Sequence, residues 1–191
     1  GLAAQVRITV AVVDENDAPV LQRPEDQKPL QVSENAESGQ KIGMPFTVQD
    51  PDANQTHVFT LEQVHETGKS ASNDVPFDID PVSGQITLAT AAAIDFEGLA
   101  SSMLNFVVRV TDSAGAGQSK THALPVTVTV LDINEPPFVA PVTRMLSENS
   151  PPGTKIGEPV MADDPDAVDR SNLKFSIGEN HGLFSVDADT G

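Results

Sequence analysis

Acidic residues recur in this chain at short, regular spacings. Asp50-Pro51-Asp52, Asp95-Phe96-Glu97 and Asp164-Pro165-Asp166 each set two carboxylates two positions apart. Asp14-Glu15-Asn16-Asp17 packs three acids into four positions, and Asp132-Ile133-Asn134-Glu135 repeats that run with one apolar replacement. In extended backbone, side chains at i and i+2 leave the same face, so both carboxylates of such a pair can turn toward one ion. The chemistry this suits is hard-cation binding: Ca²⁺ takes about six to eight oxygen ligands at roughly 2.3–2.6 Å in a flexible cage. Carboxylates, Asn amide oxygens and backbone carbonyls supply such a cage. Without a cation the packed acids repel one another and the segment splays; a divalent ion turns the same repulsion into a clamp. Taken singly, each pair suits a solvated turn better, and Asp112 before Ser113-Ala114-Gly115 suits one better still. Recurrence at matched places separates the two readings.

Charge and composition narrow the rest. Twenty-eight Asp and Glu against eleven Lys and Arg give a net charge of −17, which excludes nucleic acid and anionic lipid as partners, since both need a basic face. An acidic surface also keeps a chain soluble through self-repulsion. With no cysteine there are no disulfides, thiolate metal sites or cysteine nucleophiles. His57, His65, His122 and His181 fall at neither metal nor triad spacing and are expected at surfaces or strand ends. No phosphate-binding glycine loop and no G-x-S-x-G are present, so the chain is not expected to be an enzyme. Neither a long apolar span nor a signal-peptide start occurs in it.

The elements that must position the acids follow from repetition and periodicity. Ser33-Glu34-Asn35 returns as Ser147-Glu148-Asn149 and Asp50-Pro51-Asp52 as Asp164-Pro165-Asp166, each 114 residues on. The acidic runs recur at 118, and Phe77–Gly84 matches Phe184–Gly191 at 107. Units of this size hold their own core, unlike short solenoid repeats. Within them apolar residues alternate with polar ones, the mark of strands with one buried face. Val6, Ile8, Val10 and Val12 alternate so, as do Phe106, Val108 and Val110, and Val126, Val128 and Val130. Ile86 with Leu88, Leu30–Val32, Phe46–Val48, Val58–Leu61 and Phe77–Ile79 add shorter strands. Turn signals at Pro51, Gly68, Pro81–Gly84, Gly98 and Ala114-Gly115 separate them, and Ala89–Ile94 reads as an irregular crossover. The expectation is an all-β, immunoglobulin-like Greek-key sandwich of about seven strands, repeated in tandem. Residues 1–17 are expected to be the last strand and linker of one repeat, 18–135 a complete repeat with its linker, and 136–191 the N-terminal part of a third.

The order of motifs resembles the cadherin repeat throughout the chain. That pattern runs S-E-N or P-E-N, D-x-D, F-x-[IV]-D-x-x-[ST]-G-x-I, [LI]-D-x-E, V-x-[AV]-x-D-x-x-G and V-x-V-x-[VI]-x-D-x-N-[DE]-x-P. Here it appears as Ser33-Glu34-Asn35, Asp50-Pro51-Asp52, Phe77 through Ile86, Ile94 through Glu97, Val108 through Gly115 and Val126 through Pro136. The resemblance implies three Ca²⁺ ions at each boundary between repeats. At the first boundary it assigns Asp14, Asn16 and Asp17 from the linker, with Asp50, Asp52 and Asp112 from the complete repeat. At the second it assigns Glu34, Asp95 and Glu97, the linker residues Asp132, Asn134 and Glu135, and then Asp164 and Asp166. Glu135 stands where the family usually has Asp, and the short loop Ala53–Thr56 leaves a backbone ligand hard to place. Asn54-Gln55-Thr56 is an N-glycosylation sequon, expected to be unoccupied because a glycan would crowd that loop.

By resemblance the whole protein mediates calcium-dependent, homophilic adhesion at the cell surface, anchored in the membrane by a region outside this chain. Its partners would be other cadherin-type proteins, homophilic or heterophilic. The alternatives are a structural spacer on a microbial or protist surface and the stalk of a secreted hydrolase. Adhesive strand exchange in the family often uses an N-terminal Trp, and the chain has none. These repeats are therefore expected to be spacers within an adhesive protein.

Overall fold

The computed structural model describes residues 4–24, 29–63, 76–91, 94–114, 117–178 and 182–191. Gly68, Gly115, His65, His181 and the middle of the Ala89–Ile94 crossover lie outside the described residues. The chain divides into two compact units, Gly1–Asp132 and Ile133–Gly191.

The first unit is a β-sandwich. Its long strands are β8 (Met103–Asp112) and β9 (Thr121–Leu131), antiparallel with Phe106 opposite Val126 and Leu104 opposite Val128. On one side β5 (His57–Gln63) pairs antiparallel with β8; on the other β2 (Leu30–Ser33) runs parallel to β9, giving the order β2-β9-β8-β5. The facing sheet is β3-β7-β6, from β3 (Lys41–Ile42), β6 (Phe77–Ile79) and β7 (Ile86–Leu88). A further antiparallel pair joins β1 (Val20–Gln22) to β4 (Thr47–Gln49). β1 and β3 are too short to show an alternation in the sequence.

Both sheets face one core. Phe106, Val108 and Val110 of β8, Val126, Val128 and Val130 of β9, Val32, Phe59, Phe77, Ile86 and Leu88 are buried in it. Burying each such side chain contributes about 1.5–3 kcal/mol. Phe77 and Phe106 meet edge to face across the sandwich, with ring centroids 5.3 Å apart. This arrangement adds roughly 0.5–1.5 kcal/mol beyond area.

The same alternation delivers carboxylates to the rim. On β8 the inward face runs Phe106, Val108, Val110 and then Asp112, which is buried at the strand's end. After β2 it runs Val32, Glu34, Ala36, so Glu34 is buried too. Between Ile94, fully buried, and Phe96, packed against the core, Asp95 is turned outward, and Glu97 follows exposed.

The turn joining β6 to β7 is built by Asp80. Its Oδ1 accepts from the N–H groups of Val82 (3.1 Å) and Ser83 (2.6 Å), while its backbone carbonyl accepts from Gly84 N–H at 3.0 Å. Gly84 has φ +69°, and a Cβ there would lie 2.8 Å from the Phe46 carbonyl oxygen.

Residues 4–17 carry no strand, and Val6, Ile8, Val10 and Val12 are 78–94% exposed. Their alternation is clear, but no described segment pairs with it, and an unpaired ladder does not persist in water.

The second unit has β10 (Phe138–Val139) paired antiparallel with β11 (Ala162–Asp163), followed by the one-turn helix α1 (Ala167–Arg170). It repeats the Asp80 turn: Asp187 Oδ1 accepts from Asp189 and Thr190 N–H at 3.0 and 2.9 Å, and Gly191 N–H bonds the Asp187 carbonyl.

Candidate metal centre

The first cluster lies where residues 14–17 meet the end of the sandwich carrying Asp112. Asp50 follows β4, and Asp52 folds back on it, donating its N–H to Asp50 Oδ1 at 2.9 Å. Asp52 Oδ2 accepts the N–H of Asp17 at 2.6 Å. Asn16 donates its amide N–H to Asp112 Oδ2 (3.1 Å) and to the Gln118 carbonyl (2.9 Å). The register of β5 on β8 sets His57 opposite Asp112, and His57 Nε2 lies 2.7 Å from Asp50 Oδ2. The Lys120 ammonium donates to the Asn16 carbonyl. Asp14 is exposed and has no hydrogen bond among the described residues.

Asp112 is the anchor of this cluster. Burial pushes its carboxyl upward, but N–H donation from Lys120, the Asn16 amide and the Ala114 N–H outweigh it. The carboxyl is held below its ordinary value, so it is ionised at neutral pH.

One member of the cluster is absent from the sequence expectations. Gln55 donates Nε2–H to Asn16 Oδ1 at 2.6 Å, and its own amide oxygen is buried without a hydrogen-bond partner. A lone Gln in a loop carries no pattern by which sequence could single it out.

A second cluster forms around Glu34. Carboxylate oxygens of Glu34, Asp95 and Glu97 lie within 4.8 Å of one another, and those of Glu97 and Asp132 are equally close. The Phe96 N–H donates to Glu34 Oε2 at 2.7 Å, fixing the buried carboxylate against the Asp95–Glu97 segment.

The second unit holds Glu135, Asp164 and Asp166 in the pattern of the first. Asp166 N–H donates to Asp164 Oδ1 at 3.0 Å, and Glu135 N–H donates to Asp166 Oδ2 at 2.9 Å. These bonds reproduce, atom for atom, those linking Asp52 to Asp50 and Asp17 to Asp52. Asp164 and Asp166 are both buried, and Arg170 holds the Asp164 carbonyl through two N–H donors. Asn134 donates its amide N–H to the Glu135 carbonyl at 3.1 Å. The acids and amides of these groups offer hard oxygens, and the orphaned Gln55 oxygen is the kind of acceptor a Ca²⁺ ion satisfies.

The cadherin domain model matches residues 28–131. Protocadherin-11 X-linked of Pan paniscus is 30% identical over 199 residues, covering all of this chain and 14% of that protein. Protocadherin Fat 4 of Mus musculus is 34% identical over 192 residues, covering 97% of this chain and 4% of that protein. The chain thus spans a small part of these relatives. Among solved structures, mouse cadherin-23 EC22-24 superposes with a TM-score of 0.56 at 25% identity, over 94% of this chain and 54% of that one. Drosophila N-cadherin EC1-4 shares the fold with a TM-score of 0.58 at 24% identity, over 92% of this chain and 40% of its own. With the domain model covering more than half of its length and the sandwich matching the family's fold, this chain belongs to the cadherin family.

Proposed function

We propose that this chain binds Ca²⁺ at two linker clusters and serves in the extracellular part of a cell-surface adhesion protein whose partners are other cadherin-type proteins, homophilic contact included. The observation carrying this reading is the recurrent bond pair at Asp50/Asp52/Asp17 and Asp164/Asp166/Glu135. A solvated turn has no reason to fix two carboxylates and a linker amide twice in the same way. In this reading residues 1–17 end one repeat, 18–135 form a whole one and 136–191 begin the next. Asp14, Asn16, Asp17, Asp50, Asp52 and Asp112 serve the first boundary. Glu34, Asp95, Glu97, Asp132, Asn134, Glu135, Asp164 and Asp166 serve the second. Bound Ca²⁺ supplies positive charge that cancels carboxylate repulsion and stiffens the succession of repeats. The chain's own part is to hold the oxygens ready: core alternation places Glu34 and Asp112, and the D-x-D bonds orient Asp52 and Asp166.

Calorimetry on a recombinant protein extended to whole repeats on both sides tests this. Calcium binding is expected at roughly 0.1–1 mM, the range of extracellular modules, with Mg²⁺ much weaker because it dehydrates reluctantly. No calcium heat, or equal affinity for Mg²⁺, would overturn the proposal.

A further inference from the structure

Asn54-Gln55-Thr56 is the only N-x-S/T triplet in the chain, with Gln rather than Pro at its centre. It lies in the loop between Asp52 and β5, and its three side chains divide between two environments. Gln55 turns inward, donating to Asn16 and burying its amide oxygen. Asn54 and Thr56, on either side of it, are exposed. Neither the Asn54 amide nor the Thr56 hydroxyl has a hydrogen-bond partner among the described residues. The backbone is nevertheless fixed: Asn54 adopts φ +66°, a left-handed conformation that Asn tolerates, and the Thr56 N–H donates to Ser113 Oγ at 2.9 Å.

We propose that Asn54 is an N-glycan acceptor and that its glycan stands in solvent outside the first carboxylate cluster. On sequence alone a glycan here crowds the acids. The loop answers that objection, because the side chain it sends into the cluster is Gln55, while Asn54 and Thr56 are exposed. In the transfer step Asn54 Nδ2 forms a bond to the anomeric carbon of a lipid-diphosphate-linked oligosaccharide. The anomeric C–O bond to phosphate breaks, the lipid diphosphate leaves with the electron pair, and the Nδ2 proton passes to a base of the transferase. Transfer precedes folding, and the folded loop then leaves both the modified amide and the Thr56 hydroxyl on the outside. The assignment rests on the extracellular reading only for its compartment; its geometry is independent of calcium.

The test is expression in cultured animal cells behind a cleavable secretion signal, followed by enzymatic deglycosylation in heavy-oxygen water. The protein is recovered from the secretory pathway whether or not it is released. Asn54 is expected as heavy-oxygen-labelled Asp, with the glycan mass lost in Asn54→Gln and Thr56→Ala and kept in Thr56→Ser. Thr56→Ser guards against misreading a folding defect, since it preserves the acceptor and the hydroxyl. An unmodified Asn54 would overturn the site. Calcium titrations of the glycosylated protein and of the glycan-free Thr56→Ala variant, which keeps Asn54 uncharged, are expected to coincide. Tighter calcium binding by Thr56→Ala would overturn the placement of the glycan outside the cluster. Absence of calcium binding in both forms counts against the proposed function, while the mass result alone decides the glycan.

Discussion

Asp80 and Asp187 do the same work in the two units, each gathering backbone N–H groups onto one carboxylate oxygen. For Asp80, hydrogen bonds from Ser83 and then Val82 hold the carboxyl below its ordinary value; for Asp187 those from Asp189 and Thr190 do so. A folded-state pKa depressed below the unfolded one stabilises fully above about pH 4 and is lost as pH falls through the depressed value. Asp80→Ala is therefore expected to lower the denaturation midpoint at pH 7 and to flatten its decline between neutral pH and pH 3. Urea titrations at both pH values check this; equal losses at the two would mean the charge is irrelevant to the turn. The candidate ligands separate from the core at this scale as well. Asp132 is exposed, so Asp132→Ala should weaken calcium binding and leave the calcium-free sandwich intact. Val128 is 0% exposed, and Val128→Asp leaves a buried, uncompensated charge at a cost of about 3–5 kcal/mol. Circular dichroism in chelator distinguishes the two variants, and loss of fold in both would remove Asp132 from the ligand set.

The elements were legible in proportion to their length. β8 and β9 show three apolar alternations each, and both form where the pattern puts them. β1 and β3 hold three and two residues and carry no period. Val6–Val12 show the reverse: a clean period without a partner strand gives no strand. α1 follows Asp166 in a stretch whose only helical signal is a four-residue run ending in Arg170, too little to read. The acids of the candidate site were visible as residue types and spacings. That Glu34 meets the Asp95–Glu97 segment 61 residues away came only through the family resemblance, because strand pairing, not local sequence, brings them together. Gly84 was legible as a turn signal, while its packing was not. Gly84→Ala forces an L side chain into left-handed backbone, about 1–2 kcal/mol, and presses a Cβ on the Phe46 carbonyl and the Phe59 ring. Gly39→Ala, at φ +89° with open space around it, meets the strain alone. Comparing their unfolding free energies isolates the steric part, and equal losses would show the Gly84 contacts relax freely.

For the molecule as a whole, the proposed function is a matter of charge balance. Carboxylates within 4.8 Å, as in the Glu34 cluster, repel by about 3 kcal/mol per pair at an effective dielectric near 20. Solvent and salt reduce this for the exposed Asp95 and Glu97. Calcium at tenfold above its dissociation constant returns about 1.4 kcal/mol per site. X-ray scattering on a protein of two whole repeats should therefore show a narrower distribution of shapes with calcium than with chelator. Identical profiles would mean that bound ions do not set the geometry. The parallel pairing of β2 with β9 has a separate consequence for a chain loaded along its length. Leu30–Ser33 lie against Val128–Leu131 and run in the same direction. Tension from the N-terminal side meets β1 and its pairing with β4 before it reaches the N-terminal end of β2, and it leaves β9 at its C-terminal end, so β2 and β9 are drawn to slide lengthwise past each other. In that direction the ladder bonds are strained together rather than one at a time. Under such a load this four-residue parallel seam is expected to resist by shear.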